Sequence, residues 1–222
     1  MTTLDELFHR HAAASFDKQL YLGDLLGKLP WQFDLSSGVL SFGDRFKFPT
    51  QILGTESEGD QSWLWAWANR DSGIPDPHLR SARELQRLGK QDGIGEFTQP
   101  SLALETANGH VLAMIASGIC STAAYYRGPY EGGAVFLLIQ AGAFERNIPS
   151  PGARIAFVFS ELIMKFELDH RKAFLGYMEY YRMRVAGDDA RMTAEAPNGE
   201  RLTAEFDQMG RLIQIKGSTA GR

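Results

Sequence analysis

Apolar positions in the first part of the chain recur at helical spacing and then switch to alternation. Leu4, Leu7, Phe8, His11, Ala14, Leu22, Leu25 and Leu26 form a broken stripe that predicts a helix over residues 3–27. Thr3 and Glu6 make a capping-box pattern at its start, and Gly27 with Pro30 stops it. From Trp31 the period drops to two. Trp31–Leu35 and Val39–Phe42 flank the turn signal Ser36-Ser37-Gly38, and a longer strand is expected from about Arg45 to Thr55. A polar loop, Glu56–Gln61, then leads into Trp63-Leu64-Trp65-Ala66-Trp67-Ala68-Asn69. Side chains on a strand point alternately to opposite faces, so a strand here puts the three indoles on one face and Leu64, Ala66 and Ala68 on the other. Both faces are apolar, the pattern of an interior strand. This stretch is expected to anchor the core.

Further along, Asp76-Pro77 reads as a helix start, with the helix running to about Leu88 and ending at Gly89. Ser101 is expected to cap a second helix, about Leu102–Cys120, which would carry Gly109 and Gly118 inside it. Residues 122–127 and 133–140 form a hairpin pattern around Gly128–Gly132. Ala141–Gly152, with Pro149 and Pro151, is the most linker-like stretch. The chain reads as one domain over 1–222, and a minor boundary, if present, falls near 142–152. A clean helical period follows (Ile155, Val158, Phe159, Leu162, Ile163, Phe166), and Asp169 is placed to cap a next helix. Three short strands over 190–216, with a turn at Asn198-Gly199, close the chain. Hairpin groups between helix pairs predict an α+β class, with an antiparallel meander in one or two sheets packed on helices.

Charge and cysteine content narrow the function classes. A net charge of −4 disfavours general nucleic-acid binding, which needs excess Lys and Arg. The single cysteine, Cys120, excludes an intrachain disulfide and a cysteine-based zinc site. No apolar run reaches the length of a membrane span, and the acidic start Met1-Thr2-Thr3-Leu4-Asp5-Glu6 is unlike a signal peptide. The expectation is a cytoplasmic protein with no membrane partner.

Candidate chemistry is sparse. Glu167 and His170 are an i, i+3 pair without the second copy that a di-iron site requires. His9 and His11 diverge on a helix, so no metal site is expected. Ser117-Gly118 lacks the preceding glycine of a hydrolase elbow, and no phosphate-cradling glycine loop is present. No catalytic residue and no cofactor are assigned. Two surface patterns remain. Arg80, Arg83 and Arg87 share one helix face and suit an acidic protein surface, while Tyr125, Tyr126 and Arg127 have the composition of an interface. Trp63, Trp65, Trp67, His110, Cys120 and His170 are the residues that a ligand pocket would use.

Leu53-Gly54-Thr55 and Trp63–Asn69, together with Tyr125-Tyr126-Arg127-Gly128-Pro129 and Asp169-His170-Arg171, resemble a family of bacterial proteins of unknown function. The resemblance covers most of residues 30–216. It implies a cytoplasmic bacterial protein and brings no activity, ligand or site residue with it. The function expected from the residues is non-enzymatic binding of a protein partner. The alternatives are a small-ligand binder or enzyme with a pocket between helices and sheet, and a toxin-neutralising protein.

Overall fold

The computed structural model describes residues 2–148 and 151–218, and Pro149 of the linker-like stretch lies outside them. Among the described residues, five α-helices and eleven strands, all paired antiparallel in two sheets, make an α+β protein. The chain falls into two compact units. One comprises residues 1–4 and 18–145, the other 5–17 and 146–222.

In the first unit, helix α1 (Leu4–Leu26) contributes its later turns. The strands are β1 (Trp31–Asp34), β2 (Val39–Phe42), β3 (Phe46–Ser57), β4 (Ser62–Trp65), β5 (Ser101–Ala103), β6 (Ala124–Tyr130) and β7 (Gly133–Ile139). They form a curled, half-barrel sheet in the order β1-β2-β3-β4-β5, with β7 also paired to β3 and β6 paired to β7. A register shift between Ile52 and Gly54 marks a bulge on β3, where local twist increases. Alternation divides β7 between two packing clusters. Leu137 and Ile139 join Leu22, Leu40, Phe42, Phe48 and Ile52 on one face. Phe136 lies on the other and meets Trp63 at 5.3 Å.

Helices α2 (Arg80–Asp92) and α3 (Gly109–Ile119) complete this unit. Three expectations change here. The strand of the tryptophan stretch ends at Trp65, because Ala68 and Asn69 donate their N–H groups back to the Trp65 carbonyl and close a turn. Trp67 therefore leaves the face shared by Trp63 and Trp65 and packs, half-buried, against the Leu40–Phe42 cluster. Helix α2 passes through Gly89, which is buried under Phe97, and stops at Gly93, whose φ of 76° is the left-handed cap that glycine favours. Residues 101–103 pair with β4 as a strand. The helix after them starts at Gly109, capped by the Asn108 side chain on the Val111 N–H.

The second unit holds residues 5–17 of α1, α4 (Pro151–Lys165), α5 (His170–Tyr180) and a sheet of β8 (Arg184–Gly187), β9 (Arg191–Glu195), β10 (Arg201–Phe206) and β11 (Leu212–Ser218). Its first strand was not expected from the sequence. Asp169 caps α5 as expected, accepting from the Lys172 N–H. Phe174 bridges the layers, 5.8 Å from Phe159 of α4 and 6.0 Å from Phe206 of β10. Asp17 is fully buried here. Arg146 (2.8 Å) and Arg154 bind its carboxylate, and the Tyr181 hydroxyl donates to it at 2.7 Å. No helix among the described residues is long and apolar enough to cross a membrane.

Candidate functional site

The edge of the half-barrel at β1 carries the site. Proline can open a strand because it has no N–H to give, and Pro30 precedes Trp31 here. The Pro30 carbonyl accepts the Gly43 N–H at 2.8 Å, which sets the phase of the β1–β2 ladder. In an antiparallel pair, hydrogen-bonded and non-hydrogen-bonded positions alternate. Counting from Pro30, residues 32 and 34 face β2 with their backbone groups, and residues 31 and 33 turn theirs away from it. The β2–β3 ladder gives the same phase: the Gly38 carbonyl accepts the Thr50 N–H, so residues 40 and 42 face β3 and residues 39 and 41 face β1.

Among the described residues, strand β1 pairs only with β2, and β6 at the other end of the curl pairs only with β7. Side chains bridge those two edges. The Trp31 ring lies 5.6 Å from that of Tyr126, and its tip sits over Gly128, where a Cβ would come within 2.8 Å of it. Any larger residue at 128 would push the indole away. Beside this bridge runs an open groove of about 550 Å³, lined by Trp31, Gln32, Phe33, Asp34, Ser41 and Val135. Four consecutive residues of one strand line it, so it follows the strand's edge and draws atoms from both faces. Trp31 and Phe33 are half-buried, and Gln32 and Asp34 are exposed.

Asp34 is the one charged lining residue. The hydroxyls of Ser37 (2.7 Å) and Ser36 (2.9 Å), with the Ser36 N–H, hold its carboxyl below the usual carboxylate range, so it is ionised at neutral pH. Ser41 has no histidine or lysine among the lining residues to activate it. The groove presents hydrogen-bonding backbone, apolar walls and one negative end, a chemistry of binding.

The residues singled out from the sequence go to several places. Trp63 and Trp65 are fully buried, edge to face at 5.4 Å, and Trp65 donates its indole N–H to the Glu96 carbonyl at 2.9 Å. The lining of the β1 groove does not include them. His110 opens α3. Its Nδ1 is 2.9 Å from the Tyr125 hydroxyl, and its ring stands edge-on to Phe136. Burial lowers its pKa, opposed by Glu56 and aided by Arg127. Glu56 accepts the Gly109 N–H at 2.6 Å and faces Arg127 at 3.6 Å, so this end of α3 carries a Glu–Arg–His–Tyr cluster. A Cβ at position 109 would fall 2.5 Å from the Phe136 ring, and glycine alone lets the helix start so close to the sheet.

Cys120 closes the opposite end of α3, about 15 Å away at 1.5 Å per residue. Burial raises its thiol pKa. His170 belongs to the second unit, where its Nδ1 accepts the Leu212 N–H at 2.9 Å. His110 and Cys120 thus sit at opposite ends of α3, His170 belongs to the other unit, and the lining of the β1 groove holds none of the three. Among the described residues, no three His, Cys, Asp or Glu side chains converge as a metal site would require.

Tyr125 and Tyr126 point to opposite faces of β6. Tyr125 is buried beside His110, and Tyr126 packs on Trp31 and Phe42. On α2, Arg80 is exposed. Arg83 binds Asp76 and Arg87 binds Glu84, each at 2.6 Å, so much of the stripe's charge is met locally. Strand β1 is legible in the sequence as a strand and not as a candidate site. Pro30 ahead of it is compatible with an edge, since sheets tolerate proline on edge strands, at strand starts and at bulges.

Residues 5–141 match a family of unknown function (DUF6882). The chain belongs to this family. The matched span contains the whole β1 groove and the Glu56–His110 cluster, and it stops before Asp169-His170-Arg171. No curated protein and no solved structure matches the chain.

Proposed function

We propose that this family member is a binding module that engages a protein partner along β1 without catalysing a reaction. The observation that carries the reading is the groove itself: unpaired backbone of an edge strand, flanked by Trp31, Phe33 and Val135 and closed at one end by an ionised Asp34. Apolar walls with a few placed polar groups are the usual make-up of a binding site. The exposed arginines of α2 offer a second contact for an acidic surface, weakened by Asp76 and Glu84. A lone cysteine, which leaves no intrachain disulfide, suits a reducing cytoplasmic setting, and a toxin is one kind of partner that such a module would hold.

Photo-crosslinking from a benzoylphenylalanine placed at Gln32 tests the reading in cells. A discrete protein adduct is expected with the wild-type groove and not with Phe33→Asp. Arg83→Glu with Arg87→Glu should leave the adduct in place. An adduct indifferent to Phe33→Asp, or none at all, overturns the groove as the contact surface. Loss with the arginine pair alone would move the site to α2.

A second reading, a small-ligand site, is favoured by the Tyr125–His110 contact next to Glu56 and Arg127. His110→Gln should then abolish the heat signal of any metabolite that binds, measured by calorimetry. Binding that survives this change excludes the cluster.

A further inference from the structure

Resting on the groove reading above, we infer that the partner binds by strand addition: an extended peptide segment pairs its backbone with Trp31 and Phe33. Three observations lead to this occupant and away from a helix or a rigid surface. First, among the described residues, the outward backbone groups of residues 31 and 33 meet neither β2 nor β6, since each edge strand pairs with one neighbour only. An exposed strand edge with free N–H and C=O groups is a template for another strand. Second, the groove is lined by consecutive residues of that strand and runs along it. A helix has its own backbone groups satisfied and would leave those of β1 unpaired. Third, the curl is closed at this point by the Trp31 side chain reaching over Gly128, with no backbone ladder between the edges. Side-chain bridging leaves the ladder positions open.

The chemistry of the segment follows from the lining. Its residues that lie over Trp31, Phe33 and Val135 are apolar at every second position, because side chains on an added strand alternate between the two faces. A lysine or arginine stands near the end that reaches Asp34, whose carboxylate is the only charge in the lining. The β1 edge is four residues long, so the core of the recognised motif is short. Its affinity comes from a few backbone bonds and two or three apolar contacts. Short exposed strands flanked by proline and a charge avoid indiscriminate pairing, and Pro30 and Asp34 hold those places here. They restrict the edge to a segment that matches it.

Short random peptides displayed on phage, selected on the intact protein, give the test. Selected peptides should show apolar alternation with a basic residue at one end and bind Phe33→Asp at least about tenfold more weakly. A scan with N-methylated amides on one such peptide should abolish binding at alternate positions and leave the intervening ones unaffected. This period-two outcome needs no change to the protein, so it stands even if Phe33→Asp misfolds. In the complex, the Trp31 and Phe33 amides should exchange with deuterium at least about tenfold more slowly. Those of Gln32 and Asp34 are bonded to β2 already and should not change. Selection against Asp34→Asn should lose the basic position; if the basic residue persists, the charge assignment fails. Phe33-dependent binding without alternate N-methyl sensitivity keeps the groove and overturns strand addition. Failure to recover any Phe33-dependent peptide overturns both.

Discussion

Trp31 and Trp63 lie on strands of the same sheet and meet different fates. Trp63 is central: β4 is paired on both sides, and the indole is enclosed by Trp65 and Phe136. Trp31 sits on an edge paired on one side, and its ring is part wall and part bridge. The same residue type thus serves as core filling or as recognition surface, and the number of paired neighbours decides which. Two aspartates repeat the contrast. Asp17 is sealed between two guanidinium groups, and Asp34 is open and held by serines.

Trp63→Ala should give the largest loss, about 3–5 kcal/mol in urea unfolding, because it empties a packed site. Trp31→Ala should cost clearly less, on the order of 1–2 kcal/mol, because half-buried rings give up less area. Equal losses would erase the distinction between core and edge. Asp17→Asn should destabilise the second unit by about 3–5 kcal/mol, since two largely but not fully buried guanidinium groups lose their fully buried counter-charge. Asp34→Asn should leave unfolding nearly unchanged. Amide exchange resolved by unit would show whether the Asp17 loss is confined as expected.

Next in size is Glu56→Ala, which leaves the Gly109 N–H without its acceptor and should cost about 1–3 kcal/mol. Acidity should act in the same direction and more weakly. The pKa values of His110 and His170 are lowered in the fold, each chiefly by burial. The unfolded chain therefore binds more protons between the lowered values and about 6.5. Stability is complete above about pH 6.5 and declines as pH falls through the folded values; His110→Gln and His170→Gln should each flatten that slope. A flat profile in the wild type would contradict both placements. The smallest effect belongs to Arg87→Ala, which should leave the urea midpoint unchanged within error, as the exposed Arg87–Glu84 pair is screened by water.

Much of the fold was legible because periodicity is a local property. The first helix, β1, β2, the β6–β7 hairpin and the Asp169 cap follow from residues near one another in sequence. The misreadings occur where partners distant in sequence decide. Leu102 reads as helical until Trp63 is seen opposite it. Gly109 reads as a flaw inside a helix, and it is the first turn of one, pressed against Phe136. The groove was hidden for the same reason. Alternation at Trp31–Asp34 shows a strand, while the lack of a second neighbour is a property of the whole sheet. Tyr125 and Tyr126 looked like a pair on a surface, and the alternation of β6 separates them.

Asp17 also bears on how the chain is made. It leaves the ribosome ahead of residues 18–145, and Arg146, Arg154 and Tyr181 follow only after that stretch has been synthesised. Residues 5–17 are thus translated first and installed late, and a fragment that begins after them would confront its own arginines with an empty seat. Shielding of this segment should appear only once translation has passed Tyr181, giving the second unit a birth order opposite to its numbering.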